Sequence, residues 1–387
     1  MCDSLNEGQA TGRKTIPVTE AVGTVLAHDI TEIRPNEFKG RAFKKGHVVK
    51  EEDICHLQRL GKEHLFVLSI GGDEMHEDEA AYALAEALMG EGVAIKGEPK
   101  EGKINIIAEK DGLLKIHRGS LLKFNMTGEV MCATLHDNTL VRKGQVVAGT
   151  RAIPLVVKKE AVDAALIAAR QGEKVIRVKE LRKPRAGIVI TGNEVYYGKI
   201  KDAFAPVISD KIKSFGGEVV GLYYAPDEES FIENRLRELI DAGADLLVTT
   251  GGMSVDPDDV TRYAIRKLGA EDITYGSAAL PGAMFLIAYL KSDKAQRAQS
   301  QAIKEEDVCP PPHEGNSMPS ALSSMQVPVL GIPACGMYAK ATVFDLVLPR
   351  ILAGEKIGRL ELAEIGHGGL CMKCDTCRYP VCPFGKS

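Results

Sequence analysis

Several stretches of this chain concentrate residue types that can do chemistry. Thr249-Thr250-Gly251-Gly252 closes an apolar run (Leu246, Leu247, Val248) and is followed by Ser254, Asp256, Asp258 and Asp259. Paired glycines let the backbone turn sharply and let a ligand come close to it. The amides of Gly251 and Gly252, the Ser254 hydroxyl and the positive end of a helix beginning near Asp258 suit a phosphate-bearing ligand. The aspartates would repel a bare phosphate but suit one bridged by magnesium. Asp256, Pro257 and Asp258 equally fit an N-cap and first turn, which leaves Asp259 as the ligand-facing acid. Upstream, Thr191-Gly192-Asn193-Glu194 follows another apolar run. Glu194 there can hold a divalent cation or orient a water molecule, and Asp202 further along is another candidate acid. Leu280–Phe285, with Pro281 and Gly282, and Gly331–Lys340, with Pro333, set small or rigid residues beside apolar segments where backbone can approach a bulky ligand. Near the C-terminus, Cys371, Cys374, Cys377 and Cys382 give C-x2-C-x2-C-x4-C-P, a spacing that can wrap one metal centre. Zinc tolerates it, and the following proline echoes ferredoxin runs, so zinc and an iron–sulfur cluster both stay open, with His367 as an alternative ligand.

These residues need a frame. From Arg185 onward the text alternates β-α-β-α-β-α: AGIVIT, a helix over 206–215, EVVGLYY, a helix over 228–242, DLLVTT, a helix over 259–268. Apolar segments at 283–290 and 327–332 and a closing helix over 339–352 complete it. That alternation predicts an α/β fold, a doubly wound, mainly parallel sheet with ligands at the carboxyl ends of its strands. A mixed α+β, β-rich region precedes it. There Thr19 is expected to cap a short helical turn, and Gly40 and Gly46 to break two short strands. Helices are expected over 51–60, 76–89 and 157–172, the last ended by Gly172. His47, His56 and His64 are too irregularly spaced for a metal site and read as packing or surface residues. The expected layout is a disordered leader (1–14), the mixed region (15–180, as one piece or two small subdomains) and the α/β domain (185–355). A disordered insertion falls at about 292–326, and a cysteine-rich metal-binding tail at 356–387.

Composition narrows the partners. The chain is 44% hydrophobic and 26% charged with a net charge of -4, which argues for a soluble globular protein and against nucleic-acid or membrane partners. It has no tryptophan, which argues against base stacking. No apolar run reaches spanning length and the N-terminus lacks the core of a signal peptide, so a cytoplasmic location is expected. In a reducing compartment the scattered Cys2, Cys55, Cys132, Cys309 and Cys335 are ordinary thiols.

TGNE, the loop to Asp202, TTGGMSVDPDD, LPGAM and GIPACG, in this order, resemble the molybdopterin-binding domain of molybdenum-cofactor biosynthesis proteins. The glycine-loop form resembles the molybdopterin molybdenumtransferase branch (MoeA and the gephyrin E domain), and TIPVTEAVGTVLAHDI resembles that branch's opening helix. The resemblance implies molybdopterin or adenylylated molybdopterin, magnesium and molybdate as ligands. It further implies a homodimer and a molybdoenzyme or cofactor-assembly protein as partner. It places Thr191, Gly192, Glu194, Gly251, Gly252, Ser254 and Asp259 in the cleft, with Glu194 and Asp259 as the catalytic acids, and Pro281, Gly282 and Pro333 along it. Departures weigh against molybdenum insertion. Asn193 and Asp256 replace the family's aspartate and glycine, and Asp202-Ala203-Phe204 stands for Asp-Ser-Asn. Pro281-Gly282-Ala283-Met284 lacks a lysine, Ile332-Pro333-Ala334-Cys335-Gly336 replaces Leu-Pro-Gly-Asn-Pro, and the transferase's Ser-Ala-Met-Asp-Gly-Tyr segment is missing. TTGGMSVDPDDVTR also resembles the CinA-type domain, which implies nucleotide pyrophosphate hydrolysis. A carrier or sensor that binds the cofactor without turnover is a third reading.

Overall fold

A computed structural model describes residues 13–24, 26–34, 38–47, 49–68, 72–252, 260–291 and 326–386. Nearly all of the expected leader and insertion, and residues 253–259 with Ser254, Asp256 and Asp259, lie outside them. The chain forms two compact units, Met1–Leu135 with Val141–Val178, and His136–Leu140 with Lys179–Ser387.

The first unit is mixed α+β. Four antiparallel strands run in the order Val93–Lys100, Lys103–Ala108, Val146–Ala152, Val130–Thr134. Helix Glu77–Leu88 turns Ala80, Ala81, Leu84, Ala85 and Leu88 inward, one stripe at helical spacing, against Ile104 and Ile106. Helix Lys159–Arg170 adds Val162, Ala165 and Ala169 to that core. Residues 13–68 keep a smaller core around Leu26, Ile30, Leu57 and Leu65. Two expectations fail there. The turn Val18–Glu20 is capped by Pro17 without a side-chain bond, so Thr19 is no cap. Gly40 lies inside strand Phe38–Phe43 and does not break it, because the hairpin with Ile30–Arg34 carries the pairing through.

The second unit holds a six-stranded sheet in the order Glu218–Ala225, Arg185–Thr191, Leu246–Thr250, Gln326–Ile332, Leu286–Lys291, Glu271–Tyr275. Its strands are β1 (Arg185–Thr191), β2 (Glu218–Ala225), β3 (Leu246–Thr250), β4 (Glu271–Tyr275), β5 (Leu286–Lys291) and β6 (Gln326–Ile332). The neighbours β2, β1, β3 and β6 are parallel, and β5 and β4 complete the sheet antiparallel. β1 and β3 are continuous apolar runs because both their faces are covered. One face carries α2 (Phe204–Ser214), α5 (Val343–Leu352) and α6 (Arg359–Glu364); the other carries α3 (Glu229–Asp241) and α4 (Thr261–Lys267). A four-residue helix, α1 (Asn193–Tyr196), follows β1. Leu239 of α3 packs where β1 and β2 each present a glycine. A Cβ on Gly187 would lie 2.8 Å from the Cβ of Leu239, and one on Gly221 2.6 Å from its Cδ2.

Helix starts differ from expectation where a side chain sets them. α2 begins at Phe204 because the Asp202 carboxylate accepts from the N–H groups of Phe204 and Ala205 at 2.8 and 3.0 Å. α5 begins at Val343 because Thr342 and Asp345 form a reciprocal capping box. β4 was not expected: EDITY is half-polar and pairs only along one edge. Residues after 356 are no loose appendage. Ile357, Leu362 and Ile365 are 0%, 1% and 7% exposed and share the core of β1, β3, β5 and β6.

Candidate functional site

The chain leaves β1 toward β2 on one side and returns to β3 on the other, which makes the carboxyl ends of β1 and β3 the switch point of the sheet. A crevice opens there in sheets of this kind. The loops after Thr191 and Thr250 leave from adjacent positions, since Ile190 is paired with Thr250. Three threonines tie them together. The Thr191 hydroxyl donates to the Thr250 carbonyl at 2.8 Å, and the Thr261 hydroxyl lies 3.2 Å from both the Gly251 carbonyl and Thr191 Oγ1. All three residues are buried. Gly251 and Gly252 have φ of +78° and +55°. A Cβ on Gly251 would lie 2.3 Å from the Thr191 carbonyl oxygen, so glycine is required for the close approach of the two loops. Among the described residues, Thr250 Oγ1 is buried with no hydrogen-bond partner at the end of β3, an unusual state for a polar atom.

Glu194 is exposed on α1, its carboxylate folded back over Gly192, where a Cβ would meet Oε1 at 2.8 Å. Asn193 is joined to Asp227, beyond the end of β2. The Asn193 N–H donates to the Asp227 carboxylate at 3.0 Å and the Asp227 N–H to the Asn193 side-chain oxygen at 3.3 Å. Asp227 was missed, although Pro226-Asp227 directly after an apolar strand is the same kind of signal as TGNE. Asp202 is committed to capping α2 and also accepts from the Tyr224 hydroxyl at 3.3 Å. Burial, reinforced by that carboxylate, holds the Tyr224 phenol above its ordinary pKa.

The other two loops share this edge. β6 leaves beside β3, with Ile332 paired to Thr250, and β5 enters opposite it, with Leu286 paired to Gly331. The Val343 N–H donates to the Pro281 carbonyl at 3.1 Å, and Gly282 (φ +130°) packs so tightly on Val343 that a Cβ would lie 2.4 Å from its Cγ1. Pro333 caps the turn Ala334–Met337. Cys335 in that turn is half-buried, and burial holds its thiol above the ordinary value. Lys211 of α2 pairs with Asp345 of α5, so it is occupied. The structure thus gathers Thr191, Gly192, Glu194, Gly251, Gly252, Pro281, Gly282 and Pro333 along one sheet edge; Ser254 and Asp259 fall outside the described residues.

Among the described residues no group of three His, Cys, Asp or Glu side chains stands at metal-holding distance, and that includes the four C-terminal cysteines. Cys371 and Cys382 are half-buried, Cys374 and Cys377 exposed, and all four are unpaired thiols. Among the described residues no helix is long and apolar enough to cross a membrane.

Two segments of the chain match known families. Residues 187–353 match a family described as a probable molybdopterin binding domain, and residues 15–69 match a domain of unknown function (DUF8806). Curated relatives include a CinA-like protein of Mycobacterium avium, 44% identical over 89 residues (23% of this chain, 20% of the relative). A CinA-like protein of Mycobacterium tuberculosis is 40% identical over 93 residues (23% of this chain, 22% of the relative). The chain thus spans only about a fifth of the length of the curated relatives it matches. Among solved structures, the molybdopterin biosynthesis enzyme MoaB of Thermus thermophilus aligns at TM-score 0.28 and 20% identity, covering 44% of this chain and 98% of that one. The protein CinA of Thermoplasma acidophilum aligns at TM-score 0.24 and 16% identity, covering 40% and 89%. It is the sequence match, over residues 187–353, that makes this segment similar to the probable molybdopterin binding domain family.

Proposed function

We propose that the α/β unit binds molybdopterin or its adenylylated form at the carboxyl ends of β1 and β3, and that the protein serves molybdenum-cofactor biosynthesis or handling. The observation that carries this reading is the switch point itself. Two left-handed glycines there present backbone where no side chain fits, beside the Thr250 hydroxyl, which has no partner among the described residues. The amides of Gly251 and Gly252 with Ser254 would hold phosphate, Thr191 and Gly192 would shape the floor, and Pro281, Gly282 and Pro333 would form the far wall. Glu194 and Asp259 are the acids of the site, with Asp227 beside them. Transfer of molybdenum from molybdate is the narrower form of this reading. The loop Pro281–Met284 offers no cation for an anion, which favours binding without transfer. A homodimer, and a molybdoenzyme or assembly protein as recipient, belong to the same proposal.

A second reading, nucleotide pyrophosphate hydrolysis of the CinA type, is favoured by the 44% identity over 89 residues to a protein named CinA-like. One experiment separates them. The full chain is purified anaerobically, bound pterin is released and read by its fluorescence, and rebinding is titrated. Absence of pterin binding at micromolar concentration would sink the first reading. Cleavage of ADP-ribose, lost in Asp259→Ala, would establish the second. Binding without molybdate-dependent release of nucleotide would mark a carrier.

A further inference from the structure

The four C-terminal cysteines sit on a loop that is closed at its base. The Gly385 N–H donates to the Gly368 carbonyl at 2.9 Å, and a Cβ on Gly368 would lie 2.7 Å from the Lys386 carbonyl oxygen, so the two ends run side by side. Cys371 stands three residues inside one end and Cys382 three residues inside the other. Each end is anchored to the α/β unit. The Leu280 N–H donates to the Gly369 carbonyl and the Cys371 N–H to the Leu280 carbonyl, both at 2.8 Å, a parallel bridge of Leu280 with Leu370. On the other arm Phe384 is 3% exposed and the Tyr379 hydroxyl donates to the Asp345 carbonyl at 2.7 Å.

Between the anchors nothing regular holds the chain. Residues 371–386 contain no helix or strand, and Leu370, Met372 and Val381 are 71%, 72% and 87% exposed. Small segments without a core of their own depend on staples such as disulfides or a metal. Lys373, between Cys371 and Cys374, takes a left-handed φ of +51°, which few residues other than glycine adopt.

We infer that Cys371, Cys374, Cys377 and Cys382 form a four-thiolate site for a single tetrahedral ion of zinc's class, and that loading it stiffens the Leu280-Pro281-Gly282 segment of the ligand edge. The sulfurs are not gathered in the structure, so loading draws the exposed Cys374 and Cys377 toward Cys371 and Cys382. Each thiol gives its proton to solvent as its sulfur takes the ion, and no electron is transferred. The inference stands apart from the pterin reading, because metal content and loop stiffness are measured without pterin.

The test uses the full chain, reduced, loaded with zinc or with cobalt as a spectroscopic substitute. One ion per chain is expected, together with the thiolate-to-cobalt charge-transfer and visible bands of a tetrahedral site. Cys374→Ser/Cys377→Ser changes two exposed side chains, so its circular dichroism should match the parent while metal binding weakens by roughly tenfold or more. Hydrogen exchange at the Leu280 and Cys371 amides should slow on loading in the parent and not in the variant. No retained metal, or equal binding by the variant, would overturn the site; iron with stoichiometric sulfide would overturn the single-ion assignment. Unchanged exchange at Leu280 in a loaded chain would overturn the coupling.

Discussion

Gly252→Ala tests the geometry of the switch point. A Cβ at Gly252 would lie 2.4 Å from Thr261 Oγ1, with φ at +55°. Left-handed backbone costs an alanine about 1–2 kcal/mol. The Thr261 hydroxyl must also rotate away, giving up its contacts with the Gly251 carbonyl and Thr191 Oγ1. Those contacts do not count twice. Thr191 spends its proton on the Thr250 carbonyl, so the single Thr261 proton serves one of the two at a time. One buried hydrogen bond is worth about 1 kcal/mol, so the total expected cost is about 2–3 kcal/mol. In a Thr261→Ala background the obstructing oxygen is gone, leaving Cβ at 3.3 Å, and only the backbone cost of about 1–2 kcal/mol survives. The double-mutant cycle should therefore show a coupling of about 1 kcal/mol. The assay is native-state hydrogen exchange of the buried β1 and β3 amides, which reports this unit separately from the other. An equal cost of Gly252→Ala in both backgrounds would refute the argument.

Four further substitutions have expected outcomes. Gly187→Ala should destabilise the α/β unit by about 1–3 kcal/mol, because its Cβ meets the Cβ of Leu239 at 2.8 Å and only movement of α3 relieves that. Gly221→Ala should cost less, since it meets only Leu239 Cδ2, and comparing the two by hydrogen exchange checks the difference. Thr250→Val removes a buried hydroxyl without a partner among the described residues, so it should leave the unit unchanged or stabilise it by up to about 1 kcal/mol while weakening pterin binding; a clear loss of stability would mean the hydroxyl has a structural partner. Tyr289 donates to the Ile357 carbonyl at 3.0 Å and accepts from its N–H at 2.7 Å, and burial pushes its phenol up to about 12 from 10.0. Above the unfolded value the native state keeps a proton that the unfolded chain loses. This contribution to stability is therefore present below pH 10.0 and lost as pH rises toward about 12. Tyr289→Phe should cost about 2–4 kcal/mol at neutral pH by orphaning both Ile357 groups, and should abolish that alkaline loss in unfolding curves followed by circular dichroism.

Much of the α/β unit is legible in the chain because its central strands are buried on both faces. VITGNE and VTTGG read as apolar runs ending in turns only because helices cover each side of β1 and β3. That the loops TGNE, TTGG, LPGAM and GIPACG share one cleft is implied by the resemblance to the molybdopterin-binding domain and not by the apolar runs themselves. What it could not supply was how those loops are joined. Thr261 and Asp227 each belong to another element of the fold, and side-chain hydrogen bonds across 34 to 70 residues leave no periodicity in the sequence. Edge strand β4 escaped for the opposite reason, since a strand with one partner and a half-exposed face needs little apolar text.

The C-terminal segment shows where local composition misleads. Cysteine spacing draws the eye, and residues 356–387 read as a tail hung on a finished domain. Yet Ile357, Leu362 and Ile365 complete the core over β1, β3, β5 and β6, and the Ile357 backbone satisfies Tyr289 inside it. Removal of everything after Gly354 would therefore strip three buried apolar side chains from the sheet and leave the Tyr289 hydroxyl without partners. Each such side chain stabilises by about 1.5–3 kcal/mol, so this truncation should unfold the α/β unit outright, whereas one ending after Gly366 would spare those three side chains and lose the cysteine loop with its own anchors, Phe384 and Tyr379. Should the shorter chain keep native exchange protection in β1 and β3, the segment would be an appendage after all. Loss of protection in it and retention in the longer one would place the boundary between core and cysteine loop near Gly366, where α6 ends and the closed loop begins.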